Sequence, residues 1–403
     1  MKSQNHKSKV TANFYDVSYS GYGVGTADSS QEVYAWNAFP GEQAEVELFS
    51  QRQPLKGTAI KILKPSIHRI DSEEGHFFVS APWQVIDYKY EVELKRRMFE
   101  KIWQEQVGLI PEFSFVKQLA SCSLDEGWWY YRNTMEFNVM DGEEGLQLAL
   151  LFRGRQKLMS IKESKLVYPV INKTVWQVLE DLKAKKIRAD KIKQIIVRAN
   201  RKDEVMAGVY SFDNKLIYST GPEFLEEKIG GLKFRFGLNY FWQPNITLFE
   251  QALMTIKKYV QNESVIDMYS GVGVIGLSLA SSAKEVWLIE KSKDATKQAQ
   301  ENMALNNIKN AAALSLLAEE ALKYITPDKT VVFDPPRSGL DNKIIGKILQ
   351  VKPKKIIYLS CKPYTQCLDI KNLLDDYKIS HTSLYNFFPR TPHLESLIVL
   401  EKM

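Results

Sequence analysis

Residues 264–276 read Ser264-Val265-Ile266-Asp267-Met268-Tyr269-Ser270-Gly271-Val272-Gly273-Val274-Ile275-Gly276, and their reading decides the fold class. The run up to Ser270 is apolar with one acid, Asp267, inside it, which predicts a buried strand. It passes straight into Gly271-Val272-Gly273-Val274-Ile275-Gly276, a literal G-x-G-x-x-G. Such glycines allow a tight turn and let a ligand approach the backbone as a helix begins. The next apolar run ends in Glu290, about 20 residues on, where a ribose-binding acid belongs. Strand, glycine turn, helix and acid-terminated strand make the opening unit of a doubly wound α/β sheet.

Outward from this unit, strand and helix patterns alternate to the C-terminus. Strands are predicted at 264–270, 285–290, 312–316, 330–334, 355–360, 380–388 and 394–401, with helices between the first six, such as 294–307 and 364–377. That alternation predicts a mainly parallel sheet. Only the loop Pro389-Arg390-Thr391-Pro392-His393 joins the last two strands. A parallel crossover takes about a dozen residues or more, so this pair is expected to be antiparallel.

In open α/β sheets, ligands gather at the carboxyl ends of strands. The run TVVFD ends in Asp334 and turns through Pro335-Pro336-Arg337. The run KKIIYL passes into Ser360-Cys361-Lys362-Pro363-Tyr364-Thr365, so Cys361 stands where a strand gives way to a loop. A lone cysteine there is more often packed filler. A thiol turn beside an acidic turn and a glycine loop is poorly explained as core. A free thiol has a pKa of about 8.5, lowered by cations or a helix N-terminus. Lys362 and the helix beginning near Tyr364 are expected to lower that of Cys361 and make it a nucleophile. Glu395 leads into apolar SLIVL, so desolvation should raise its pKa and suit it to work as a base. The glycine loop alone fits a nicotinamide-dependent dehydrogenase as well as a methyltransferase. Asp267 favours a ligand with a cationic amino-acid end, as in S-adenosylmethionine, over a dinucleotide whose pyrophosphate sits on a helix N-terminus. The thiol and carboxylates have no part in simple hydride transfer.

The 403 residues are enough for two or three domains, with ordinary globular proportions of 44% hydrophobic and 25% charged residues. Cys122, Cys361 and Cys367 make no disulfide framework, which suits a reducing cytoplasm. No apolar run approaches the ~20 residues of a membrane helix, and the polar start MKSQNHKSKV lacks the apolar core of a signal peptide. A net charge of +6 permits a polyanionic partner without requiring one.

Residues 1–72 read as a small β module, with the runs EVYAWNAF, AEVELF and GTAIKIL separated by the turn signals GYGVG, PGEQ and KPS. Residues 73–235 read as an α+β domain. A helix is expected over 87–107, with Leu94, Met98, Ile102 and Val107 on one face. WWYYRNTMEFNVM and LQLALLFRG alternate like strands, and 165–202 reads as helical, turning basic. Nine Lys or Arg and one acid, Asp190, lie from Lys183 to Lys202. Such runs are mostly solvated faces. Trp128, Trp129, Tyr130 and Tyr131 in the same region are the kind of aromatics on which unpaired bases stack, though aromatics in a strand are more often core. Residues 236–403 form the doubly wound domain.

The segments 267–280 (DMYSGVGVIGLSLA), 331–340 (VVFDPPRSGL), 358–365 (YLSCKPYT) and 389–402 (PRTPHLESLIVLEK) together resemble the S-adenosylmethionine-dependent RNA uracil-5-methyltransferases. Phe241-Trp242-Gln243-Pro244-Asn245 is similar to that family's cofactor-contacting F-x-Q-x-N segment, Asn302 and Asn306 to its N-A-x-x-N helix, and the N-terminal module to a TRAM domain. The resemblance covers nearly the whole chain. It implies an N-terminal TRAM-like, OB-like β-barrel, a central α+β domain and a C-terminal Rossmann-like methyltransferase domain. Cys361 would add to carbon 6 of uracil, carbon 5 would take the methyl group, and Glu395 would remove the carbon 5 proton. Gln243, Tyr269, Gly271, Gly273, Glu290 and Asp334 would bind the cofactor, and Asp267 would order the glycine loop. The partner implied is RNA, 23S ribosomal rather than transfer RNA, handled by a cytoplasmic monomer away from membranes.

Three departures stand out. Lys362 replaces the usual asparagine after the cysteine. Val274 stands where some relatives carry a polar cofactor contact. Many TRAM-bearing members hold an iron–sulfur cluster on four cysteines, yet no cysteine here precedes Cys122. Residues 80–84 (SAPWQ) and Ser164 take the places of such ligands, so no cluster and no metal site are expected. The rival readings are a nicotinamide-dependent dehydrogenase and a non-catalytic RNA-binding protein.

Overall fold

The computed structural model describes residues 8–117, 128–143, 145–153 and 157–403. Lys9–Val17, Gly23–Ala27, Glu32–Trp36, Gln43–Ser50 and Leu55–Lys64 close into a five-stranded barrel. Alternation along Gln43–Ser50 sends Ala44, Val46 and Leu48 inward. GYGVG, expected to be a turn, turns only at Gly21 (φ +85°) and then enters a strand. A Cβ at Gly23 would lie 2.2 Å from the Ala38 carbonyl oxygen, and one at Gly25 2.4 Å from that of Asn13. The glycines there answer a close approach of backbones across the barrel.

The helix expected over 87–107 spans Tyr88–Gln106, capped by the Asp87 side chain, which accepts from the Tyr90 N–H at 2.8 Å. Leu94, Met98 and Ile102 are buried as their spacing requires, and so are Glu91 and Lys95. A six-stranded antiparallel sheet follows, in the order Leu216–Thr220, Val205–Tyr210, Gln194–Ala199, Thr134–Gly142, Gly145–Leu151, Leu158–Ser160. Helix Pro169–Ala184 covers it through Ile171, Val175, Val178 and Leu182. The stretch 165–202 is therefore not helical throughout. Ile195, Val197 and Ala199 alternate into this core as part of a strand, and burial against the sheet overrides helical propensity.

The C-terminal sheet has eight strands in the order Ala311–Ser315, Glu285–Glu290, Ser264–Met268, Thr330–Phe333, Lys355–Ser360, Glu395–Lys402, Tyr377–Tyr385, Ser114–Val116. The first five are parallel. Glu395–Lys402 is antiparallel to both its neighbours, as the short loop before it predicts. Buried residues on both faces, such as Ile266 and Val265 or Val331 and Val332, explain why these strands read as continuous apolar runs. Ser114–Val116 joins the edge in parallel with Tyr377–Tyr385. Three residues are too few to show a period, so nothing in the sequence announced it.

Candidate active site

Strand register assembles the site. Met268 lies beside both Ile289 and Phe333, so the next residues on each strand, Tyr269, Glu290 and Asp334, emerge side by side. Ser360 pairs with Ser396 in the antiparallel step, so Cys361, one residue later, lies across from Glu395, one residue earlier. A cleft of about 900 Å³ runs along this rim, lined by Gln243, Tyr269, Gly271, Glu290, Asp334, Cys361 and Glu395. Its size suits a small-molecule site, for which ~300–1,000 Å³ is usual. It lies where the strand order changes direction, beside Ser264–Met268. Of the sequence-predicted residues, Gly273 is outside the lining. It sits at the N-cap of helix Val274–Leu279 with φ +89°, where a Cβ would come within 3.1 Å of Leu277 and Leu288.

The glycine loop is held by carboxylates. Gly271 N–H donates to Glu290 Oε2 at 3.0 Å and Ser292 N–H to Oε1 at 2.8 Å. Gly276 N–H donates to Asp267 Oδ2 at 2.8 Å, while Oδ1 is buried without a partner. Burial pushes Asp267 up to about 8. Asp267 is fully buried and absent from the cleft lining, so it meets the loop and not the cationic end of a ligand. Asn302 donates to the Val272 carbonyl at 3.0 Å and accepts from Arg235 N–H at 2.8 Å, tying the loop to hairpin Leu225–Phe236. A recess beside the loop is lined by Phe241, Gln243, Tyr269 and Ser270. The Ser270 hydroxyl is buried there without a partner. An orphan hydroxyl, the Gly271 backbone at the cleft wall and the remaining lone pairs of Glu290 suit a nucleoside with an amino-acid tail, and S-adenosylmethionine fits that donor set.

The thiol differs from expectation. Burial, and then the Glu395 charge, push Cys361 up to about 11, with Arg337 opposing both by its charge and a hydrogen bond. Lys362 is exposed and only caps the helix Pro363–Lys371, so desolvation outweighs it. Glu395 is 1% exposed and its Oε1 has no partner. Burial first, and the neighbouring Asp334 second, raise its pKa well above the usual carboxylate range, with Arg337 opposing. Burial lifts Asp334 to about 7, against a hydrogen bond from Gln243. His393 is held neutral, down to about 3, by burial and by the arginines around it.

The loop before Glu395 is pinned from far away. Asn245 donates to the Phe387 carbonyl at 3.2 Å, Lys95 to that of Phe388 at 3.1 Å, Tyr131 to that of Pro389 at 3.1 Å, and Trp83 N–H to that of Arg390 at 3.0 Å. Lys95 is fully buried, 2.7 Å from Glu91 and 2.6 Å from Asn386 Oδ1. Glu91 accepts from Arg390 N–H at 3.0 Å. The Arg390 guanidinium lies 5.0–5.7 Å from the ring centroids of Tyr88, Trp128 and Trp129. Trp128, Trp129 and Tyr131 therefore clamp the loop before Glu395, and Trp129 and Tyr131 are core.

Some lining residues went unassigned in the sequence. Arg337 follows the strand-end acid and faces the thiol, so its place in DPPR was the available signal. Arg132 arrives from the strand-like run before the central sheet and has no local signal. The basic run divides: Lys185, Lys186, Arg188 and Lys191 are exposed, whereas Arg198 is buried on the Gly237 carbonyl and Arg201 pairs with Glu227 and Glu250. Residues 74–76 are stapled to 163–165 by His76 on the Glu163 carbonyl (2.6 Å) and by Lys165 N–H on Glu74 (2.7 Å). Among the described residues no group of three His, Cys, Asp or Glu could hold a metal, and no helix is long and apolar enough to cross a membrane. Cys122 lies outside the described residues.

The doubly wound sheet and its glycine loop define a Rossmann-like fold. Residues 322–403 match the family model described as tRNA (Uracil-5-)-methyltransferase, and 228–337 match the TRM5/TYW2 methyltransferase domain. A protein of Enterococcus faecalis named as an uncharacterized RNA methyltransferase is 26% identical over 450 residues, covering 98% of this chain and 97% of the relative. One from Nanoarchaeum equitans is 28% identical, covering 95% and 91%. One from Mycoplasma mobile is 39% identical over 182 residues, covering 44% and 49%. The crystal structure of Pyrococcus abyssi tRNA (uracil-54, C5)-methyltransferase in complex with S-adenosyl-L-homocysteine shares the fold at a TM-score of 0.74 and 21% identity, covering 97% of this chain and all of that one. The relatives aligned over nearly the whole chain are thus named RNA methyltransferases, and the C-terminal 82 residues resemble the family that the tRNA (Uracil-5-)-methyltransferase model describes. Both matched models and these relatives are methyltransferases, which favours the methyltransferase reading over the nicotinamide one.

Proposed function

We propose that the protein transfers a methyl group from S-adenosylmethionine to carbon 5 of a uridine in RNA. The observation that carries this reading is the pairing of Cys361 with Glu395 across one strand mouth, in one cleft, with a buried Glu395 oxygen that has no partner. S-adenosylmethionine supplies the methyl group from the glycine-loop side. Cys361, as thiolate, bonds to carbon 6 of uracil and moves the electron pair of the 5,6 double bond toward carbon 5. Arg337, beside the thiol, favours the thiolate against burial. Once carbon 5 carries the methyl group, Glu395 accepts its proton, the double bond re-forms, and Cys361 leaves as thiolate. Gln243, Tyr269, Gly271, Glu290 and Asp334 line the cofactor side, Gly273 and Asp267 hold its loop, and Lys95, Glu91 and Arg390 hold the loop of the base.

The RNA we favour is ribosomal, a 23S uridine presented unstacked so that carbon 6 is reachable, and handled by a cytoplasmic monomer. Transfer RNA is the second reading, since the Pyrococcus abyssi protein of the same fold is named for uracil-54 of tRNA. Incubation with radiolabelled cofactor and total RNA from cells lacking the protein tests both. Label recovered as 5-methyluridine in ribosomal RNA supports the first reading and label in transfer RNA the second. Cofactor binding without label in any RNA contradicts the activity.

A further inference from the structure

A second cavity, of about 510 Å³, meets the cleft at Cys361 and Arg337, which line both. Its other walls come from separate parts of the chain, among them Tyr19 and Trp36 from the barrel side, Met98 from the helix Tyr88–Gln106, Arg153 from the central region, His393 from the loop before Glu395 and Tyr364 from the helix after the thiol. Trp36 is 8% exposed, and its indole N–H has no partner. The Arg153 guanidinium lies 5.3 Å from the Trp36 ring centroid, and its Nε is also buried without a partner. Two orphan donors in one cavity call for a ligand rich in acceptors. Tyr19 stacks on Tyr364 with centroids 5.4 Å apart and planes 28° from parallel, which adds an aromatic wall.

Aromatic faces beside a guanidinium are what an unpaired base stacks on, and arginine takes its phosphate. We propose that this cavity is a subsite for one nucleotide of the RNA, the unpaired neighbour of the target uridine. The adjacency is covalent: a uracil on Cys361 places the next nucleotide one phosphodiester from the mouth of the second cavity. The neighbour's identity rests on the proposed function, but the ligand class does not.

The test therefore has two arms. In the first, adenosine monophosphate is titrated into the full chain under saturating S-adenosylhomocysteine, followed by ligand-observed NMR. Binding is expected to persist, to weaken about tenfold or more in Arg153→Gln, and to weaken several-fold in Trp36→Phe, which keeps an aromatic ring and removes the N–H. Complete displacement by S-adenosylhomocysteine, or equal affinity in both variants, overturns the subsite. In the second arm, Arg153→Gln should raise KM for substrate RNA by more than it lowers kcat, while S-adenosylhomocysteine affinity is retained. An unchanged KM overturns the assignment to the RNA strand. Nucleotide binding that depends on Arg153, in a protein that methylates no RNA, supports the site and breaks the proposed function.

Discussion

Two loops meet at the rim of the catalytic sheet, and they are held in opposite ways. The glycine loop is fixed by near neighbours: its partners Asp267, Glu290 and Asn302 lie 9, 19 and 30 positions from the residues they hold. The loop that delivers Glu395 is fixed from 142 to 299 positions away, by Asn245, Tyr131, Lys95 and Glu91. The cofactor side is thus a self-contained unit of the doubly wound sheet. The loop before Glu395, the proposed base, takes its hydrogen bonds from the helix Tyr88–Gln106 and the central region. On the proposed mechanism, the region between barrel and C-terminal sheet is a scaffold for the base, in addition to any contact with RNA.

Breaking the distant support should cost most. Lys95→Met removes the cation 2.7 Å from buried Glu91 and leaves it only the Arg390 guanidinium at 3.9 Å, so the loss should approach the ~3–5 kcal/mol typical of a broken buried pair. Denaturant unfolding should show that loss. In the fraction still folded, Cys361 should still form its adduct with RNA and release it more slowly. Equal slowing of attack and release would mean that the network serves stability alone.

Breaking the local support should cost less and stay local. Glu290→Ala removes the carboxylate that holds Gly271 N–H and faces the cleft, for an expected loss of about 1–3 kcal/mol in cofactor affinity by calorimetry. Adduct release should not change. Unchanged affinity would take Glu290 out of the site.

The glycine loop also rests on a carboxyl kept neutral. Asp267 is raised to about 8 in the folded chain, far above its unfolded value. The native state therefore keeps a proton that the unfolded state gives up. The stabilisation is complete below the unfolded pKa of about 3.9 and is lost as pH rises through the folded pKa, at a slope of ~1.4 kcal/mol per pH unit. Asp267→Asn, whose amide oxygen can still accept from Gly276, should flatten this dependence in denaturant titrations at several pH values. A slope equal to wild type would show that Asp267 ionises freely.

The smallest effect concerns the exposed basic run, which belongs to neither loop. Reversing Lys185, Lys186 and Arg188 should reduce the salt dependence of RNA binding by roughly 0.7 in log–log slope for each phosphate no longer neutralised. An unaltered slope would make the run a solvated face.

This contrast also explains what the sequence could disclose. The parallel sheet, the glycine loop, Glu290, Asp334, Cys361 and the antiparallel final pair were legible, because strand-end residues sit beside their own apolar runs and their register follows. Burial of Glu395 was legible from the SLIVL run after it. The direction of the Cys361 shift was not, since Lys362 next in sequence points to solvent, whereas burial and the charge of Glu395, 34 positions later, push the thiol up. Lys95 and Glu91 were hidden because helical spacing marks apolar positions and says nothing of a charged pair on the same face. The clamp of Trp128 and Trp129 on Arg390 pairs residues more than two hundred positions apart, and no local pattern carries that.

The proposed order of steps, with Cys361 attacking first and Glu395 taking the proton last, is open to direct test. Glu395→Gln keeps the shape and removes the base, so attack and methyl transfer should proceed while release falls by ~10²–10⁴-fold. Incubated with cofactor and substrate RNA, this variant should accumulate a protein–RNA band that survives denaturing electrophoresis, and the Cys361→Ala, Glu395→Gln double variant should show none. Turnover of Glu395→Gln at the wild-type rate, with no such band, would contradict the assignment of the base.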